Sequence, residues 1–218
     1  FDYNIPLWTI GAGSVLVWIA LLDGMLVIFP GAFERKWDQK KVFVVGLSRT
    51  GTTSITEALN MLGIRTHHFC GPLVKLASGY GGRHKIVEAY VDNLDGHTDI
   101  SPTIVAEELA EKYPEARFIY TTRPRDEWAH ALVRFVSEEP RKTLFKNHPT
   151  PFNFYNAAYG EGWSSYDAVE WQHIHDAHEK RMQNLRKQVG TKRFLKIDIT
   201  ALGKKGKDTT LWNILGDF

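Results

Sequence analysis

The sequence predicts an α/β fold of three layers, a central parallel sheet between helices, preceded by an N-terminal transmembrane helix. Two patterns carry the α/β part. Short, continuous apolar runs recur between longer segments with helical spacing, and a glycine-rich turn stands where the first of these runs gives way to a helix. A third pattern carries the membrane part: from Pro6 to Pro30 the only charged residue is Asp23.

About 20 predominantly apolar residues suffice to span a bilayer. Residues 1–33 are therefore read as a membrane-spanning segment, with Trp8 at one interface and Phe29, Phe33 and Trp37 at the other. Residues 34–40 are a charged linker. Arg35, Lys36, Lys40 and Lys41 follow the segment and no Lys or Arg precedes it, so a single-pass protein is expected, its globular part on the cytosolic or matrix side. Asp23 and the small residues Gly11, Ala12, Gly13 and Ser14 would suit packing against other transmembrane subunits. Phe1 is not a methionine and the last residues stop inside an apolar pattern, so both ends are read as incomplete.

The globular domain is expected over residues 41–218. Residues 41–45 (KVFVV) read as a strand buried on both faces, and residues 54–62 as the helix after it. A short strand is expected over 64–69. A helix is expected over 102–112, with Ser101 as its cap and Pro102 at its first position. Residues 117–121 (RFIYT) give another buried strand and 126–136 the following helix. Residues 147–166, rich in proline, glycine and aromatics, read as a long ordered loop. A long amphipathic helix over 168–189, a strand over 194–199 and a helix beginning at 209 complete the chain.

Composition removes several classes of function. With 43% hydrophobic and 24% charged residues in 218, the chain is not a disordered one. A net charge of +2, with acids and bases interspersed, gives no nucleic-acid partner. The single cysteine, Cys70, permits no disulfide within the chain and reads as a small buried hydrophobe. His173, His175 and His178 are read as surface histidines, and no metal is expected.

Gly46-Leu47-Ser48-Arg49-Thr50-Gly51-Thr52-Thr53-Ser54 is the informative stretch. Its glycines let the backbone curl so that successive N–H groups converge, and the helix N-terminus adds positive potential. Arg49 brings a permanent charge and Thr52 and Thr53 bring hydroxyls, so a phosphate belongs there and the fold is of the P-loop type. The spacing resembles G-x-x-x-x-G-K-[ST], except that Thr52 stands in place of the lysine that bridges nucleoside triphosphate oxygens. That argues against an ATPase, GTPase or kinase, with Asp198 the one candidate for a second nucleotide-hydrolase motif. Arg123, just past the strand RFIYT, stands at the same carboxyl edge of the sheet and could hold a second phosphate.

The motif GLSRTGTTS resembles the first motif of the P-loop sulfotransferases, in the group that reads G-x-x-R-T-G-T-T-S. LGIRTHHF, the stretch LDGHTDISPTIVAEELAEKYPEARFIYTTRP and FLKIDI followed by Trp212 are similar to later parts of the same group, so the likeness covers about residues 41–218. The resemblance implies the sulfate donor PAPS (3′-phosphoadenosine 5′-phosphosulfate) and its product PAP. It puts Ser48, Arg49, Thr50, Gly51, Thr52, Thr53 and Ser54 around the 5′-phosphate, Arg49 as the catalytic cation and Arg123 on the 3′-phosphate. The family's serine eight residues past that arginine is Ala131 here, with the adjoining His130 as its substitute. His68, after a strand near the ligand edge, is the first candidate for the general base and Asp99 the second. The expected function is a membrane-anchored sulfuryl transfer to a hydroxyl or amine of a small molecule or glycan. The alternative is an inactive accessory subunit of a membrane complex with the same fold.

Overall fold

A computed structural model of the chain describes residues 18–22, 25–29, 40–68, 73–76, 84–138, 149–203 and 210–218. The chain divides into two compact units, Phe1–Asp38 and Gln39–Phe218. In the first unit, strand β1 (Trp18–Leu22) pairs antiparallel with strand β2 (Met25–Phe29), with Leu22 opposite Met25 and Trp18 opposite Phe29. Over 18–22 and 25–29 this corrects the helix expected there. Both segments are rich in β-branched, aromatic and large apolar residues, and they flank Asp23-Gly24, a dipeptide favoured in two-residue hairpin loops. Length and apolarity alone do not separate a helix from two strands. Among the described residues no helix is long and apolar enough to cross a membrane. Residues 6–17 and 30–38, with the flanking Arg35 and Lys36, lie outside the described residues, as does Cys70.

In the second unit, β3 (Val42–Val44) leads through the glycine-rich turn into helix α1 (Thr52–Met61). Next come β4 (Thr66–His67), a small antiparallel ribbon of β5 (Val74–Leu76) and β6 (His84–Ile86), α2 (Glu88–Asp92) and β7 (Gly96–His97). Helices α3 (Ile100–Ile104) and α4 (Ala106–Lys112) lead to β8 (Arg117–Thr121) and α5 (Arg125–Ser137). Then follow α6 (Pro149–Tyr159), α7 (Ala168–Val189), β9 (Phe194–Ile197), α8 (Ile199–Gly203) and α9 (Thr210–Asp217). The main sheet has five strands in the order β4-β7-β3-β8-β9, all parallel.

The sheet separates two cores, as alternation along a strand requires. Val42, Val44 and Ile119 pack with Ile55, Ala58 and Leu59 of α1 and with Leu215 of α9. Phe43, Val45, Phe118 and Tyr120 face the other layer, built from α3, α5, α6 and α7. Helix α7 buries Trp171, His175, His178, Met182, Leu185 and Val189, steps of three and four that form one helical stripe. A reciprocal capping box of Asp167 and Glu170 starts it, and Gly190, at φ 82°, stops it.

Three expectations are corrected here. The helix over 102–112 breaks at Val105 (φ −111°), after the stiff β-branched run Thr103-Ile104-Val105, and Ser101 lies inside α3, whose cap is Asp99. The long loop over 147–166 contains α6, which buries Tyr155 and Tyr159 at a spacing of four and is followed by Gly160 at φ 87°. Two of the three supposed surface histidines are buried. His178 Nε2 meets Val45 O at 3.2 Å and His175 Nε2 meets Arg123 O at 3.1 Å, while His173 is exposed.

Burial lowers the pKa of His97 to about 4 and that of His178 to about 3. Both therefore stay neutral in the fold at pH values where the unfolded chain binds a proton on each. Stability contributed this way is present above the ordinary histidine value and is lost as pH falls. Urea denaturation should show stability dropping between pH 6.5 and pH 4 by up to about 2.7 kcal/mol per pH unit. A flat profile across that window would contradict neutral burial of both rings.

Candidate functional site

The turn between β3 and α1 is pressed against the end of β8. A Cβ on Gly46 would sit 1.8 Å from Thr121 Oγ1 and 2.8 Å from Thr121 O, so only glycine permits this approach. Thr50 Oγ1 donates to Leu47 O at 2.7 Å, which makes Thr121 the donor in the 2.8 Å contact between the two threonine hydroxyls. From below, Thr103 Oγ1 donates to Gly46 O at 2.9 Å. Arg49 and Gly51 both take left-handed backbone, at φ 70° and 90°. For arginine that conformation is uncommon, and it lifts the side chain out to solvent.

Helix α1 begins without a side-chain cap and with no acidic residue in its first turn. The amides of its first turn have no acceptor inside the helix, so they present donors and positive potential outward. Thr53 and Ser54 are exposed beside them. Ser48, by contrast, is turned into the protein. Its N–H donates to Tyr159 Oη at 3.0 Å, its hydroxyl accepts from Tyr155 Oη at 3.1 Å, and its carbonyl accepts from Trp128 Nε1 at 2.8 Å. Thr50 is likewise buried, its hydroxyl held within the turn. Of the residues expected around a phosphate, Arg49, Thr53 and Ser54 remain outward, Thr52 is buried, and Ser48 and Thr50 shape the backbone behind them.

Both candidates for the general base lie against the start of α1. His68 Nε2 is 3.2 Å from Thr52 Oγ1 and 3.2 Å from Thr53 Oγ1, and 4.0 Å from Asp99 Oδ2. Asp99 itself has φ 77° and ψ −154°, a region essentially confined to glycine that costs other residues about 1–3 kcal/mol. Burial raises its pKa, and His68, the Ile100 amide and Thr52 oppose that rise in part. Backbone strain and a buried carboxyl at one position beside a helix N-terminus mark a site shaped by something other than stability.

Arg123 follows β8 at the neighbouring strand's end and makes an ion pair with Glu127 at 3.6 Å. Among the described residues its buried Nε has no hydrogen-bond partner. The Arg49 guanidinium lies 5.3 Å from the centre of the Phe135 ring. Both arginines thus border α5, at Glu127 and Phe135, about 12 Å apart along the helix. Residues 41–204 match the family described as the sulfotransferase domain. The chain belongs to that family. It is also 31% identical over 107 residues to Ava biosynthesis cluster protein M of Aspergillus versicolor, a match covering 42% of this chain and 41% of the relative. The chain therefore spans less than half of that relative's length.

Set in a sulfotransferase domain, other expected residues find their places. His130 is exposed on α5 while Ala131 is buried on the same helix. Asp198, the candidate for a nucleotide-hydrolase motif, accepts from Thr200 Oγ1 at 2.7 Å and from the Ala201 amide at 3.1 Å, and so caps α8. The aromatic partners of Ser48 were not among the expected site residues. The only signal for them was the spacing of four between Tyr155 and Tyr159, hidden in a segment read as loop.

Two stability outcomes test this geometry. Replacing Gly46 by alanine should cost about 2 kcal/mol or more in chemical denaturation, because Thr121 backbone must move. Asp99→Asn should act oppositely. The folded chain keeps a proton on Asp99 to higher pH than the unfolded chain, so native stability falls as pH rises through that window. The neutral amide removes that loss and tolerates positive φ better. Its melting temperature should exceed the parent's at pH 7, with the gain shrinking toward pH 4; a loss of stability at pH 7 would contradict the assignment.

Proposed function

We propose that this domain transfers a sulfuryl group from PAPS to the hydroxyl of a small-molecule acceptor, with Asp99 as the general base. The observation that carries this reading is the convergence at the start of α1. An uncapped helix N-terminus, the outward Arg49 and a strained, buried Asp99 all meet there. Family membership supports sulfuryl transfer as the reaction class. The relative named as a biosynthesis cluster protein supports a small molecule over a glycan as acceptor.

The residues fit a doubly phosphorylated adenosine. The amides of 51–54 with Thr53 and Ser54 would take the 5′-phosphate, and the partnerless Arg123 Nε would take the 3′-phosphate. The donor supplies an activated sulfuryl group on its 5′-phosphate. Arg49 supplies fixed positive charge where negative charge develops on the leaving oxygen. Asp99 accepts the acceptor's hydroxyl proton. Burial brings its pKa up from the ordinary carboxylate range toward the working pH, which is what a base requires. His68, with Nε2 within hydrogen-bond reach of both threonine hydroxyls, holds Thr52 and Thr53 in place.

Purified protein incubated with radiolabelled PAPS and a panel of phenols, alcohols and amines should label one class of acceptor. Arg49→Ala and Asp99→Asn should each lower turnover by about a hundredfold or more. Asp99→Asn should still bind PAP in calorimetry, whereas Arg123→Ala should bind it at least about tenfold more weakly. Absence of PAP binding by the parent protein would remove the donor assignment, and full activity of Asp99→Asn would remove the base.

A further inference from the structure

The three side chains that surround Ser48 come from α5 and α6, far along the chain from the turn they hold. Trp128, Tyr155 and Tyr159 lie 80, 107 and 111 residues away from Ser48 in sequence. They interlock. Tyr155 and Tyr159 meet edge to face at 5.2 Å, and Tyr159 and Trp128 both meet Trp171 edge to face, at 5.2 and 5.7 Å. Tyr155 also stacks on Phe135 (6.3 Å, 12°), the ring over which the Arg49 guanidinium lies. Arg49 is therefore gripped twice by one aromatic cluster, at its backbone through Ser48 and at its guanidinium through Phe135.

The N–H, hydroxyl and carbonyl of Ser48 each have a partner in this cluster, which holds the residue on the inner side of the turn. The next residue, Arg49, must then enter its left-handed conformation from a fixed peptide. Tyr159 is fully buried, and burial keeps its phenol protonated, so the oxygen that accepts the Ser48 N–H is always present in the same form. We infer that Tyr155 and Tyr159 are positioning residues for Arg49: by fixing Ser48 they hold the left-handed turn that aims the guanidinium at the donor's 5′-phosphate. This rests on the sulfuryl-transfer reading for its ligand, while the brace itself is a property of the free protein.

The test uses Tyr159→Phe and Tyr155→Phe, which keep both rings and remove one hydrogen bond each. Two readouts are needed. Amide hydrogen exchange over residues 46–54, followed in the absence of ligand, should quicken about tenfold in Tyr159→Phe relative to the parent at a temperature well below melting, with exchange in β8 and α7 unchanged. PAP affinity by calorimetry should fall about tenfold in Tyr159→Phe, yet show no further fall when the same change is added to Arg49→Ala. A purely structural tyrosine would lower the melting temperature without slackening the turn selectively, and its effect on PAP would add to that of Arg49→Ala. If Tyr159→Phe does not fold, Tyr155→Phe decides by the same two readouts. Unchanged exchange over the turn overturns the brace whatever the ligand does. Absence of PAP binding by the parent protein overturns the donor assignment instead, and the exchange result then decides the brace alone.

Discussion

The site depends on how closely the backbone at Gly46 approaches Thr121. Because no Cβ intervenes, the turn settles onto the end of β8, and Thr50 closes the contact through its hydroxyl. From that seat the chain can curl through two left-handed residues and enter α1 with its first amides facing away from the sheet. A larger residue at 46 would lift the whole turn. The direction of the helix dipole, the exit of Arg49 and the contact of Thr52 with His68 all follow from the same approach.

Around Arg49 the charges are arranged with little internal cancellation, whereas Arg123 keeps an ion pair with Glu127. Arg49 faces an aromatic ring and no carboxylate among its described contacts, and α1 has no acid in its first turn. Asp99 is the buried acid, and its ordinary ionisation is opposed by burial more than it is helped by His68. Elsewhere in the domain the acids have conventional roles. Asp95 pairs with Arg65, Glu107 with Arg181 and Glu179 with Lys196.

Much of this was legible in the sequence where it was local. The turn, the strands at 42–44 and 117–121 and the place of Arg123 follow from runs of adjacent residues whose spacing has direct backbone meaning. What was not legible depends on distant partners. Gly96–His97 carries no strand pattern, yet it lies between two other parallel strands and is fixed by pairing on both sides. His175 and His178 read as polar, but two backbone carbonyls take their ring nitrogens. Helix α6 was hidden by Pro149 and Pro151, which a first helical turn tolerates. Its two tyrosines could not be assigned to Ser48 without the fold. The strands at 18–22 and 25–29 were not legible for another reason, since a long apolar run suits a helix and paired strands alike.

The role of each residue around α1 reduces to where one ligand sits. A crystal structure of the protein with PAP tests this most directly. The account requires the 5′-phosphate within about 3 Å of the amides at the start of α1 and the 3′-phosphate at the same distance from Arg123 Nε, with Arg49 beside the 5′ end and Ser48 still held by its aromatic partners. PAP bound away from α1, or bound there with Arg123 left on Glu127 alone, would contradict it.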